Sequence, residues 1–212
     1  SSSKPVQTPQ TRSQFRFNPI TPLKLLKYPN VTLVVIYITV IYTIIHIQNI
    51  SVPRNFSTKY KLSEASIGLL FLAPCAGFIF GSFIGGKYSD FLLKKTLNSD
   101  GTLPEIRILS VWFGTLLIPI TCFIYGWLLE DNFRYEVLLV VWFFCAFGIL
   151  SSFNSLATYL VDACPGRGAS VTALNNSIRY IIAGILTIFE TTIEDNFGIR
   201  WSFVFISGLS FI

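Results

Sequence analysis

Charge is what this chain has least of: Asp, Glu, Lys and Arg make up 13% of its 212 positions, while hydrophobic residues make up 52%. Soluble domains carry roughly 25% charged residues, so a water-soluble fold is excluded. Histidine occurs once, at His46, which leaves no material for a His-clustered metal centre. No GxSxG or HxxxD pattern and no carboxylate pair occurs, so an embedded acyltransferase or hydrolase lacks its nucleophile and base. The four cysteines, Cys75, Cys122, Cys145 and Cys164, show no CxxC spacing. They read as buried, unpaired thiols, and neither metal nor cofactor is expected. Methionine is absent, Ser1 opens the chain, and no signal-peptide pattern precedes the first apolar run, so the sequence reads as a fragment.

What the chain does have is long apolar runs. A helix needs about 20 mostly apolar residues to cross a bilayer, where no water can satisfy the backbone. Five segments qualify, at about 31–52, 66–86, 106–129, 135–161 and 169–191, and a sixth runs from about 201 to the last residue, 212. The expectation is an all-α polytopic membrane bundle. Residues 1–29 form a polar linker and an amphipathic lead-in punctuated by Pro19, Pro22 and Pro29, and residues 30–212 form the membrane part.

Lys and Arg favour cytoplasmic loops. With residues 1–29 placed inside, only Arg54, Lys59, Lys61, Arg134 and Arg200 of the sixteen Lys and Arg fall outside. The topology accounts for the net charge of +5 without a nucleic-acid partner. Asn55-Phe56-Ser57 is a glycosylation sequon on the predicted outer loop between Asn49 and Ser63, whereas Asn49-Ile50-Ser51 lies too close to the membrane. In the second span, Ala73, Gly77, Gly81 and Gly85 recur every four residues and make one helix face nearly flat, ready for close approach of a neighbour.

Three segments carry a family resemblance. Gly86 to Lys95, GKYSDFLLKK, resembles the G-x-x-x-D-R-x-G-R-K loop of the major facilitator superfamily, in the copy between helices eight and nine. Gly86, Asp90, Lys94 and Lys95 match; Phe91 and Leu93 replace the usual Arg and Gly. Thr158 to Tyr180, TYLVDACPGRGASVTALNNSIRY, resembles the junction of helices ten and eleven in fungal drug:proton antiporters with twelve spans. It matches at Tyr159, Asp162, Pro165, Ser170, Ala173, Asn175, Asn176 and Arg179. FNPITPLKLLKYPNV resembles the approach to helix seven of the same group. The resemblance implies the C-terminal half, helices seven to twelve, of a quinidine-resistance-like multidrug transporter. Its partners would be the N-terminal six-helix half, the lipid bilayer, a small organic substrate and protons. A latch on the inner side would use Gly86, Asp90, Lys94, Lys95, Asp162 and Arg179, with Asp162 pairing with Arg179, Lys87 or Lys94. The plasma membrane is implied, with the vacuolar membrane as the alternative.

Polar stripes offer candidates for the central cavity, where an unpaired polar group would otherwise be costly. The first span places Thr39, Tyr42, Thr43, His46 and Asn49 at helical spacing. The fourth places Ser151, Asn154, Ser155 and Thr158, and the fifth Asn176, Tyr180 and Thr187, with Glu190 near its outer end. Tyr42, His46, Asn49, Asn154, Tyr159, Asn176 and Tyr180 are the substrate-binding candidates. Interhelical hydrogen bonding explains the same stripes equally simply, and the abundant aromatic residues suit either a drug pocket or lipid-facing surface. His46 is either a proton site or a hydrogen-bonded helix residue. No acidic residue lies near the middle of a complete span, so the proton-coupling group is expected in the other half. The expected function is proton-coupled export of drugs, polyamines or other organic cations. A transporter-derived receptor or scaffold, or a facilitator of another solute class, is the alternative.

Overall fold

The computed structural model describes residues 22–100, 106–131 and 133–210; the expected linker and the start of the lead-in lie outside them. Every regular element among the described residues is helical. A 3-10 turn, Pro22–Lys27, leads into α1 (Pro29–Thr58), followed by α2 (Glu64–Leu70), α3 (Leu72–Asp100), α4 (Ile106–Glu130), α5 (Tyr135–Ala163), α6 (Gly168–Phe197) and α7 (Ile199–Leu209). Five stretches are long and apolar enough to cross a membrane: Pro29–Thr58, Glu64–Leu92, Val111–Glu130, Tyr135–Ala163 and Gly168–Phe197. Each contains one of the expected spans or most of it.

Three boundaries differ from expectation, each for a local reason. The second span is two helices, broken at Phe71. Pro74 has no N–H to offer the carbonyl one turn back, at Leu70, and the ladder restarts when Cys75 N donates to Phe71 O at 3.1 Å. α1 runs on through Pro53 to Thr58, where a loop from Asn49 was expected. Asn55 donates to Ser51 O at 2.8 Å and Thr58 to Arg54 O at 2.8 Å, and fully buried Val52 and Phe56 anchor this last part of the helix in the core. Finally, Gly86 to Lys95 is not a turn: it continues α3, because no Gly or Pro follows Gly86 before Gly101 to interrupt it.

α5 is the pillar of the bundle. On one side α3 meets it through the flat face anticipated from Ala73, Gly77, Gly81 and Gly85. A Cβ added at Gly77 or Gly81 would fall under 3.0 Å from Phe143 O or Phe147 O, and one at Gly85 would overlap Ser151. The contacts advance in the same direction along both helices, so α3 and α5 are parallel. On the other side Gly114 of α4 brings its backbone against Gly148 O and Ser152, and Cys122 Sγ lies 3.7 Å from Cys145 Sγ. Here the pairing runs in reverse, so α4 is antiparallel to α5. Gly126 of α4 receives Phe203 of α7, while α1 packs on α5 and α6.

The main core joins Ile38, Ile41 and Ile44 of α1 to Ile118 of α4, Ile149 of α5 and Val171 of α6. A second cluster, at the end where α1 finishes, packs Phe56, Tyr125, Leu129, Trp142 and Phe203. Three cysteines are buried and free as expected, but Cys75 is exposed on α3. Large apolar side chains also cover the outside, among them Ile79, Phe83, Trp112, Phe113, Ile188 and Phe205. A surface of this kind belongs against lipid or another apolar body.

Gly81→Ala should therefore destabilise the bundle by about 1–3 kcal/mol, because its methyl meets a backbone oxygen that cannot rotate away. Gly86→Ala, with nothing within 4 Å of the added Cβ, should leave stability unchanged. Thermal unfolding of the two variants in detergent checks the pair; equal melting temperatures would refute the close-approach account.

Candidate functional site

Arg179 is the centre of the most chemically distinctive place in the molecule. It lies eleven residues beyond Gly168 on α6, about 17 Å along the helix at 1.5 Å per residue, and only 9% of its surface is exposed. Its guanidinium carbon sits 4.5 Å from the Tyr42 ring centroid, 4.9 Å from Phe153 and 5.0 Å from Tyr180. Tyr42 in turn packs edge-on against Tyr180 at 5.2 Å and against His46 at 4.5 Å. Helices α1, α5 and α6 thus meet around one caged cation.

The magnitudes explain why the cage is needed. An arginine near the centre of a membrane helix costs about 2.5–3.5 kcal/mol on the insertion scale. Cation–π contacts contribute about 0.5–2 kcal/mol each, so three rings offset that cost. They do not satisfy every N–H group: Arg179 Nε is buried without a hydrogen-bond partner, as is Asn175 Oδ1 one turn earlier. Among the described residues no carboxylate forms an ion pair with Arg179, so the expected Asp162–Arg179 pair is not formed. Arg179 belongs with Tyr42, His46 and Tyr180 at mid-span, not with an inner latch, because aromatic faces surround it there.

The other candidates separate. Tyr42 and His46 are half-buried and Tyr180 is exposed; Asn176, half-buried, lies one turn before Tyr180. Asn49 is exposed further along α1. Thr39 and Thr43 are buried inside the bundle and return their hydroxyls to Val35 O and Thr39 O at 2.7 and 2.8 Å, so they are not part of the open face. Asn154 donates to Ser82 at 2.7 Å, tying α5 to α3, and Ser151 packs on Gly85. Tyr159 is a core residue, 2% exposed, facing a separate cleft of ≈ 480 Å³ between α1, α4 and α5 that Tyr37, Trp112 and Thr115 also line. It does not join the Arg179 cluster, because it lies on the α4 side of α5.

Of the signature residues, Gly86 is half-buried and Asp90 and Lys94 are exposed, all on α3, while Asp162 is exposed in the last turn of α5. The side chains of Lys95 and Glu190 lie outside the described residues. Lys87 is not drawn to a carboxylate but lies over the Phe83 ring at 4.6 Å.

The end where α1 and α6 finish carries a polar network that the hydropathy pattern does not signal. Asn55, 4% exposed, donates to Glu194 Oε1 at 2.6 Å, and Glu194 is itself 7% exposed. Arg54 pairs with Asp195. Arg200 reaches Asp131 at 2.9 Å and covers the Trp127 ring at 4.5 Å. The sequon asparagine is therefore a buried helix residue with its amide occupied, which corrects its assignment to an exposed loop. Phe153 and Ser82 carry no signal in the sequence: one is a phenylalanine among twenty, the other a small polar residue without periodic partners. The available signal was Arg179 itself, a charge inside an apolar run.

Five membrane-length stretches, four of them gathered around the fifth, α5, define a polytopic membrane protein of the helical-bundle class. Its family follows from comparison: the model of the Major Facilitator Superfamily matches residues 2–188, so the chain belongs to that superfamily. It is similar to Quinidine resistance protein 3 of Saccharomyces cerevisiae, 30% identical over 192 residues, covering 89% of this chain and 28% of the relative. The MFS antiporter QDR3 of Candida albicans is 30% identical over 194 residues, with 90% and 28% covered. Efflux pump radE of Floropilus chiversii is 28% identical over 194 residues, with 90% and 36% covered. The chain spans about a third or less of the length of these relatives. No solved structure gives a significant match.

Because Asn55 is helical, buried and bonded to Glu194, the sequon should carry no glycan: endoglycosidase should leave the electrophoretic mobility of wild type and Asn55→Gln alike. Asn55→Ala should cost about 1–3 kcal/mol of stability by stranding the Glu194 carboxylate. Adding Glu194→Gln should restore part of it in a thermal melt. A glycan at Asn55, or a silent Asn55→Ala, would contradict the buried network.

Proposed function

We propose that the chain is the C-terminal half, helices seven to twelve, of a secondary active transporter that exports small organic molecules in exchange for protons. In this reading residues 30–212 are the membrane half and residues 1–29 a cytoplasmic segment joining it to an N-terminal six-helix half. Substrate lies between the two halves, which rock against each other in alternating access. Drugs, polyamines and other organic cations are the substrate classes carried over from relatives named for quinidine resistance, antiport and efflux. The plasma membrane is the favoured location, with the vacuolar membrane second.

The observation that supports the reading is the mid-depth cluster around buried Arg179, where α1, α5 and α6 leave the polar side chains of Tyr42, His46 and Tyr180 partly uncovered. Lipid would penalise such groups, whereas a water-filled cavity between halves would not. Asp90 and Lys94, exposed on α3, are placed to engage the other half on the inner side.

Cells expressing the full-length protein should lower their content of labelled quinidine, and a protonophore should abolish the effect. Asp90→Asn should slow efflux about tenfold while leaving surface abundance unchanged, the usual scale for a lost charge-assisted contact. Efflux that persists without a proton gradient would overturn the coupling. No export across a broad panel of organic solutes would overturn the transporter reading.

A further inference from the structure

We infer that Arg179 is the recognition point for an anionic group on a planar aromatic substrate, carboxylate being the chemistry that fits it best; this rests on the transporter reading above. A guanidinium held by aromatic rings can still offer a donor to a carboxylate, and the donor left without a partner here is Nε. Arg179 is nine-tenths buried, and its Nε donor has no partner.

Among the described residues no carboxylate forms an ion pair with Arg179. Glu194 is fifteen residues beyond Arg179 on α6, about 22 Å, and Asp162 is nine residues beyond Phe153 on α5, about 13 Å. A permanent protein carboxylate would make a three-ring cage redundant. The cage suits a cation whose counter-charge comes and goes, since the rings hold it while the site is empty. Tyr180, 55% exposed beside it, and half-buried Tyr42 supply π surface on which an aromatic ring can stack. Among organic cations, those that also carry an acid gain this contact, and a purely cationic substrate would have to be held by other residues.

Rhodamine B, which bears a free carboxylate, and its ethyl ester, which does not, test this in the full-length protein. Wild type should export and bind the acid better than the ester. Arg179→Gln should weaken acid binding and efflux about tenfold and leave the ester within about twofold, the scale of one charge-assisted contact. Arg179→Lys should fall between, having charge but no planar fork. On unmodified protein, benzoate should displace rhodamine B, read by fluorescence polarisation, and benzamide should not. Equal loss of both dyes in Arg179→Gln, equal binding of acid and ester by wild type, or equal competition by benzoate and benzamide would each overturn the anion site. Absence of efflux for both dyes with selective binding of the acid intact would instead overturn transport and leave the site standing.

Discussion

The backbone of α5 is approached on two sides by glycines, and most of the bundle's geometry follows from that crowding. Gly77, Gly81 and Gly85 let α3 come within a distance at which no larger residue fits, and Gly114 does the same for α4. In a bilayer the hydrophobic effect does not distinguish helix from lipid, so dispersion attraction between closely approaching backbones has to hold the helices together. Once α3 and α4 are fixed on α5, α1 and α6 fill the remaining side, and α7 rests on Gly126 of α4.

The same medium decides how polar groups are treated. Thr39, Thr43, Thr121 and Thr158 all return their hydroxyls to carbonyls of their own helix, which costs nothing in tertiary specificity. Asn154 and Ser82 join two helices instead. Asn55 and Glu194, with Arg54 and Asp195, clamp the far ends of α1 and α6. Around Arg179 the protein leaves a buried donor unanswered, and three aromatic side chains are committed to tolerating the charge. A cation retained inside an apolar bundle on those terms is an argument for use, because a leucine at the same position would pack without any cage.

Hydropathy made the five spans legible, since the bilayer imposes length and polarity on each segment separately. The small-residue face was legible too, but not its partner: four-residue spacing marks a flat side of α3 without saying that α5 occupies it. Helix ends were read too short at Asn49 and Gly86, because polarity was taken as the end of the helix. In fact α1 and α3 continue beyond the apolar run, as nothing in Lys87 to Asp100 breaks a helix. Arg179 was placed at an inner latch on the strength of its charge, yet its depth on α6 and the rings of Tyr42, Phe153 and Tyr180 put it among the cavity candidates. That outcome depended on three helices converging, which no single segment encodes.

The two ends of the bundle are built differently, and the difference bears on how it could move. At the end where α1 and α6 finish, Arg54, Asn55 and Arg200 join α1 to α6 and α4 to α7 through charged bonds within this one chain. Those bonds tie the helix ends together within the chain. At the opposite end, Asp90 and Lys94 stand exposed on an α3 that projects beyond its apolar part. In the transporter reading proposed above, a half that turns as one body would keep such internal bonds unbroken. Arg179 lies between the two ends, at mid-depth on α6.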